Sequence, residues 1–267
     1  MLGSVLAKTL REQRLSLVWW SAGLVGLVVL TTAFYPSVRE NAASLTEVIE
    51  SLPEGLRRAI VGADVDFFSP AGYLQARLFS LLAPILLLVF AVGNGARAIA
   101  GEEERKTLDV VLATPTSRRR VSLDKAGAML VATAALSTVL WVAIALTGPP
   151  FEVSLDLGRL AAAVVDCFLL AAAFGGIALA VGAGTGRRGL AVGVATAIAA
   201  GSYLIDVLVL SVGGLTWLQR LMPFYYYRAS EPLVNGLDPV HALALASIAL
   251  IAIAIGTWGF ERRDLTA

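Results

Sequence analysis

GEEERKTLDVVLATPTSRRRVSLDK, Gly101 to Lys125, decides how the chain is read, because it is the longest strongly charged segment and very apolar stretches flank it on both sides. A central Arg, Lys or Asp in a bilayer costs roughly 2.5–3.5 kcal/mol even on the lenient insertion scale. A segment this charged therefore projects into water. Many such loops are only solvated connections, but this one carries a pattern. Leu108, Val111 and Leu112 recur at helical spacing, Pro115 ends the run, and Arg118, Arg119 and Arg120 follow. The spacing predicts a short amphipathic helix outside the membrane with an apolar face left to cover, which points to docking on a partner.

Working outward, the composition is that of a membrane protein. Hydrophobic residues make up 57% of the chain and charged residues 15%, and the mean hydropathy is strongly positive. A net charge of +1 gives no basis for a nucleic-acid partner. Cys167 is the only cysteine and lies in an apolar run, so it forms no intrachain disulfide and reads as a small packing residue. With His241 the only histidine, a histidine-based metal cluster is excluded and no metal site is expected. No internal repeat and no low-complexity tail stands out.

Residues 1–16 set Lys8, Arg11 and Arg14 against Leu2, Leu6, Leu10 and Leu17, the pattern of an amphipathic helix at the membrane surface. The apolar run behind it is too long for a signal-peptide core. It is expected as the first span, 17–35, with Trp19, Trp20 and Tyr35 as interfacial anchors. Further spans are expected over 72–100, 126–147, 160–181, 190–212 and 240–260. Between the first two lies a structured polar loop, 36–71. Its Ser44-Leu45-Thr46-Glu47 fits a capping box, Leu45, Val48, Ile49 and Leu52 share one helix face, and Ser69-Pro70 marks a helix start. Gly148-Pro149-Pro150 ends the third span, and a glycine-rich turn, Gly182 to Gly189, joins the fourth to the fifth. The long connection 213–239 carries the cluster Phe224-Tyr225-Tyr226-Tyr227, which suits a segment dipping partway into the membrane.

The expected fold is an all-α polytopic membrane protein: one domain, six transmembrane helices, an amphipathic surface helix before them. Six spans put both termini on one side. That side, with the loops it shares, holds 14 Lys and Arg against 7 on the other. The positive-inside rule makes it cytoplasmic, and with it the 101–125 loop; the 36–71 and 213–239 loops become extracytoplasmic. The expected location is the plasma membrane.

The sequence holds no GxxxxGK[ST] phosphate-cradling loop, no HExxH, no CxxC and no GxSxG. The spans offer no nucleophile with a base beside it, so no catalytic residue is nominated. Energy for active work has to enter from a partner.

Glu102, Glu104, Thr107, Leu108, Leu112, Pro115, Arg118 and Lys125 match in order the first cytoplasmic loop of type-2 ABC exporter permeases. That loop reads roughly E-x-E-x-G-T-L-x-x-x-L-x-x-P-x-x-R, then Gly-Lys before the third span. Pro223-Phe224 and Phe260-Glu261-Arg262-Arg263-Asp264 resemble the same family's final segment. Lys106 and Asp124 stand where the family usually has glycine. The resemblance covers essentially the whole chain. It implies a membrane-spanning permease that forms the translocation path of an ATP-driven exporter and pairs with a second copy, as a homodimer. Two separate ATP-binding subunits would carry the ATP and Mg; no cofactor is expected on this chain. The loop would supply the coupling helix. Leu108, Val111 and Leu112 would fill an apolar groove on the ATP-binding subunit, and Glu102, Glu103, Glu104, Arg118 and Arg119 would set its register and orientation, with Thr107 and Pro115 in the same coupling set. The alternative is a non-transporting subunit that anchors an ATPase for assembly or signalling. An ion-coupled carrier would need inverted repeats with broken helices, which are not found.

Asp166 and Asp206 fall about seven residues from the outer ends of consecutive spans, roughly 10 Å deep at about 1.5 Å per residue. With Asn94 they are the candidate translocation-path residues. The acids either line that path or bond within the bundle, to a neighbour or to Arg77 or Arg159. Gly182/Gly186 and Gly189/Gly193 have GxxxG spacing, for packing inside the bundle or against a second copy.

Overall fold

A backbone that crosses lipid satisfies its polar groups only as a helix or in a closed barrel, and the leucine- and alanine-rich runs of this chain take the first course. The computed structural model describes residues 5–41, 68–107, 116–212 and 216–263, and their regular structure is all helical. Helix α1, Val5–Ala33, is followed almost directly by α2, Tyr35–Glu40. Next come α3, Pro70–Leu74, a π-helical turn Gln75–Phe79 and α4, Leu82–Ala98. The short α5, Ala100–Glu104, leads to α6, Arg118–Thr147. Then follow α7, Leu157–Thr185, and α8, Arg188–Val212. Three short helices, α9 Thr216–Gln219, α10 Pro223–Ala229 and α11 Pro232–Asn235, precede α12, Pro239–Arg262. Among the described residues six helical stretches are long and apolar enough to cross a membrane, as expected.

The most buried of the six is α7, which packs on α4, α6, α8 and α12. Small residues allow the close approach. A Cβ on Gly95 of α4 would run into the Gly175 carbonyl of α7, and one on Gly256 of α12 would come within 2.8 Å of Ala180 Cα. These crossing pairs are not the ones the spacing singled out. Gly182 does face Ala96 and Ala100 inside the bundle, but Gly189 and Gly193 have nothing within 4 Å.

Four features differ from expectation. The segment expected as a separate surface helix is the start of α1: no proline interrupts residues 5–33, and 29 residues at about 1.5 Å each give ~43 Å, more than the roughly 30 Å of bilayer hydrocarbon. Its apolar side is covered by protein, with Leu6 against Gly127 of α6 and Leu10 and Leu17 on the core. Tyr35, expected at the interface, is buried and its hydroxyl donates to the Phe68 carbonyl at 2.8 Å. The second span is broken at Ser80–Leu81, because Pro84 has no N–H and its ring crowds the carbonyl four residues back. Finally, α6 starts at Arg118 rather than near residue 126, capped by Ser117, whose Oγ accepts the Arg120 N–H at 3.3 Å.

Residues 216–235 fold back onto the bundle. Phe224 packs among Phe174, Tyr203 and Tyr227, with ring centroids 5.9, 5.5 and 6.5 Å away. Its N–H donates to Ser202 Oγ at 3.2 Å, about ten residues or ~15 Å below the end of α8. Tyr227 donates to the Phe79 carbonyl at the break in the second span, at 2.5 Å. A side chain thus satisfies backbone that the kink has freed. Cys167 is buried, 3.1 Å from the Tyr227 hydroxyl, as a packing residue would be.

Candidate functional site

Each end of the bundle carries a polar cluster. At the end bearing both termini the cluster is built on α5. This helix closes on a left-handed residue, Lys106, at φ 56°. Lys106 N–H donates to the Glu103 carbonyl and Thr107 N–H to the Glu102 carbonyl, both at 2.9 Å, while Thr107 Oγ1 donates to the latter at 3.2 Å. This is a Schellman cap, whose left-handed position is normally glycine. The glycine of the resembled motif falls on that position.

The three consecutive glutamates of α5 are all engaged within the chain, each with a different helix. Glu102 pairs with Lys125 of α6, both largely buried. Glu103 pairs with Arg263, the residue after α12. Arg263 also donates to the Ala183 carbonyl of α7 at 2.9 Å. Glu104 Oε1 accepts the Arg188 N–H at 2.9 Å, placing a carboxylate at the first turn of α8. Gly186, at φ 68°, turns the chain between α7 and α8; a Cβ there would lie 2.6 Å from Glu103 Oε1. Arg118 Nη1 donates to the Arg263 carbonyl at 2.7 Å, with its guanidinium 6.0 Å from the Phe260 ring centroid. Arg119 is exposed. Leu108, Val111, Leu112 and Pro115 lie outside the described residues, as do Ser44–Glu47, Val48, Ile49 and Leu52 of the earlier loop. Among the described residues no group of acids, histidines and cysteine could hold a metal ion.

Asn94 belongs to this end. It is buried, donates to the Phe90 carbonyl at 2.9 Å, and its Oδ1 lies 3.5 Å from Arg97 Nη2.

Asp166 and Asp206 sit at the opposite end, both buried, and both grip the folded-back segment. Ser230 Oγ donates to Asp166 Oδ2 at 2.7 Å. Arg228 Nε lies 2.7 Å from Asp206 Oδ2, and Gln219 donates to Oδ1 at 2.8 Å. The two acids thus meet one strap at residues two apart, Arg228 and Ser230; for Asp206 it is Arg228, not Arg77 or Arg159, that supplies the counter-charge, and Asp166 is held by the neutral Ser230 hydroxyl. The structure brings Asp166 and Asp206 together on this strap and leaves Asn94 at the other end. Arg263, Arg188, Arg228 and Ser230 were not singled out as site residues. Their visible signals were the charged tail after the last span and an arginine beside the aromatic cluster.

No curated protein matches the chain in a sequence comparison. A family profile described as ABC-2 family transporter protein matches residues 4–265, nearly the whole length. Six apolar spans with this match make the protein a multi-pass membrane permease of an ABC transporter, a kind of subunit that associates with an ABC ATP-binding subunit. The chain belongs to the ABC-2 transporter family.

Proposed function

We propose that the protein is the permease of an ATP-driven exporter in the plasma membrane, and that the 101–125 loop couples it to the ATP-binding subunit. The observation that carries the reading is the fastening of α5 to Lys125, Arg188 and Arg263. Through these residues one short helix is tied to α6, α8 and the end of α12. Force applied to the loop therefore reaches several spans at once instead of bending a free connection. Glu102, Glu103 and Glu104 brace the lever; Leu108, Val111 and Leu112 supply its docking face, oriented by Thr107, Pro115, Arg118 and Arg119. The excess of Lys and Arg at this end supports a cytoplasmic side for it and for both termini.

The complex is two such permeases, as a homodimer, on two ATP-binding subunits that carry the ATP and Mg. Closure of those subunits moves the permeases as rigid bodies. Asn94 lies near the inner end of the path. Asp166 and Asp206 lie near the outer end, and by holding Ser230 and Arg228 they keep residues 216–235 over it until the spans move. The test is Leu108→Arg, which puts a charge in the docking face. The variant should reach the membrane normally and fail to co-purify with its ATP-binding subunit. Co-purification at the wild-type yield would reject the loop as the docking element.

A further inference from the structure

A polar cavity of about 180 Å³ lies at the terminus-bearing end, between α1, the last turn of α4, α5 and the start of α6. One water needs roughly 10–15 Å³ by the same measure, so the space holds more than a bridging water. Two kinds of unmet demand converge on it.

The first is for an anion. Arg97 and Arg105 line the cavity, and neither has a carboxylate partner among the described residues. Arg97 spends its Nε–H on the Gly93 carbonyl at 2.9 Å. The nearby carboxylates already have partners: Glu102 through Oε1 with Lys125, Glu103 with Arg263, Glu104 with the N–H of Arg188. Glu12, on the rim, lies 3.9 Å from Lys8. The second demand is for hydrogen-bond donors. Gln13 Oε1 and Glu102 Oε2 are buried in the same lining and have no hydrogen-bond partner among the described residues. A buried acceptor left unmet is costly, because it has given up its hydrogen bonds to water.

We propose that this cavity binds the headgroup of an aminophospholipid: the phosphate on Arg97 and Arg105, and the primary ammonium on Gln13 Oε1 and Glu102 Oε2. A free phosphate would satisfy the guanidiniums and leave both acceptors orphaned. A quaternary ammonium has no N–H to offer them. The level in the membrane fits, since Arg97 stands in the last turn of a span, where headgroups lie. The inference rests on the chain being in a bilayer and is independent of how the loop couples to ATP hydrolysis.

The experiment titrates the purified, delipidated full chain with short-chain phosphatidylethanolamine, short-chain phosphatidylcholine and inorganic phosphate, and reads the rise in Tm. Phosphatidylethanolamine should bind about tenfold more tightly than phosphatidylcholine, the size of one charge-assisted hydrogen bond. Gln13→Leu should shrink that ratio toward one. Arg105→Gln should weaken both lipids and leave the ratio intact. Equal stabilisation by the two lipids, a ratio unmoved by Gln13→Leu, or a shift reproduced by inorganic phosphate alone would overturn the assignment.

Discussion

Removing the clamp between Glu103 and Arg263 isolates the bracing of α5 from its docking. In Arg263→Gln the side chain keeps donors for the Ala183 carbonyl but loses the charge that faces Glu103. The two side chains are 26% and 18% exposed, so solvent screens the pair only in part. A hydrogen bond of this charge-assisted kind contributes about 1.5–3 kcal/mol, and its loss also leaves Glu103 against the Gly186 turn without a counter-charge. A loss near 2 kcal/mol is about a 30-fold change in the equilibrium between braced and released α5. The assay is a double-mutant cycle with Glu103→Gln, by unfolding of the purified chain. The coupling energy should be about 1–2 kcal/mol, with the double variant little worse than either single one. In the reconstituted complex, ATP hydrolysis should persist while the response of residues 216–235, read by a fluorescent label on exposed Trp217→Cys, falls. Single effects that add to within about 0.5 kcal/mol would show that the pair contributes nothing and would refute the bracing.

Gly95→Ala should lower stability by about 1–3 kcal/mol, because its Cβ meets the backbone of α7 and the helices must part. Gly93→Ala, whose Cβ meets only an arginine side chain at 3.6 Å, should be neutral or gain up to about 1 kcal/mol in the same melt. Lys106→Gly should raise Tm, since the left-handed conformation costs an L-residue roughly 1–2 kcal/mol; a lower Tm would contradict the cap. Asp238 caps α12 by accepting the His241 and Val240 N–H groups, which hold its carboxyl below the usual carboxylate range. Stability from a depressed carboxyl is present above the unfolded-state pKa and lost as pH falls through the folded one. Asp238→Asn keeps a capping oxygen, so its Tm should match the wild type at neutral pH and fall less on acidification.

The six spans were legible because burial in lipid writes itself into long apolar runs. The charged loop was legible because charge is so costly there. What the sequence hid was pairing. Glu103 and Arg263 are 160 residues apart, and Glu104 and Arg188 are 84 apart, so no local pattern links them. Gly95 and Gly175 lie on different helices, and their contact leaves no GxxxG spacing in either. The stripe of residues 1–16 marked a helix but hid its continuity with the first span and its cover, for a related reason: an apolar stripe looks the same whether lipid or α6 covers it. Lys106 is the reverse case. Its backbone gives the physical reason for a glycine in the resembled motif that spacing alone could only count.

The central claim is that the α5 end faces the cytoplasm and is where the ATP-binding subunit acts. Cysteines at Thr107 and Arg119, probed with a membrane-impermeant thiol reagent, test it most directly; the native Cys167 is buried and leaves the background low. Both sites should label in inside-out vesicles but not in intact cells, and the ATP-binding subunit should protect them. Labelling from outside intact cells, or no protection by the bound subunit, would contradict the account.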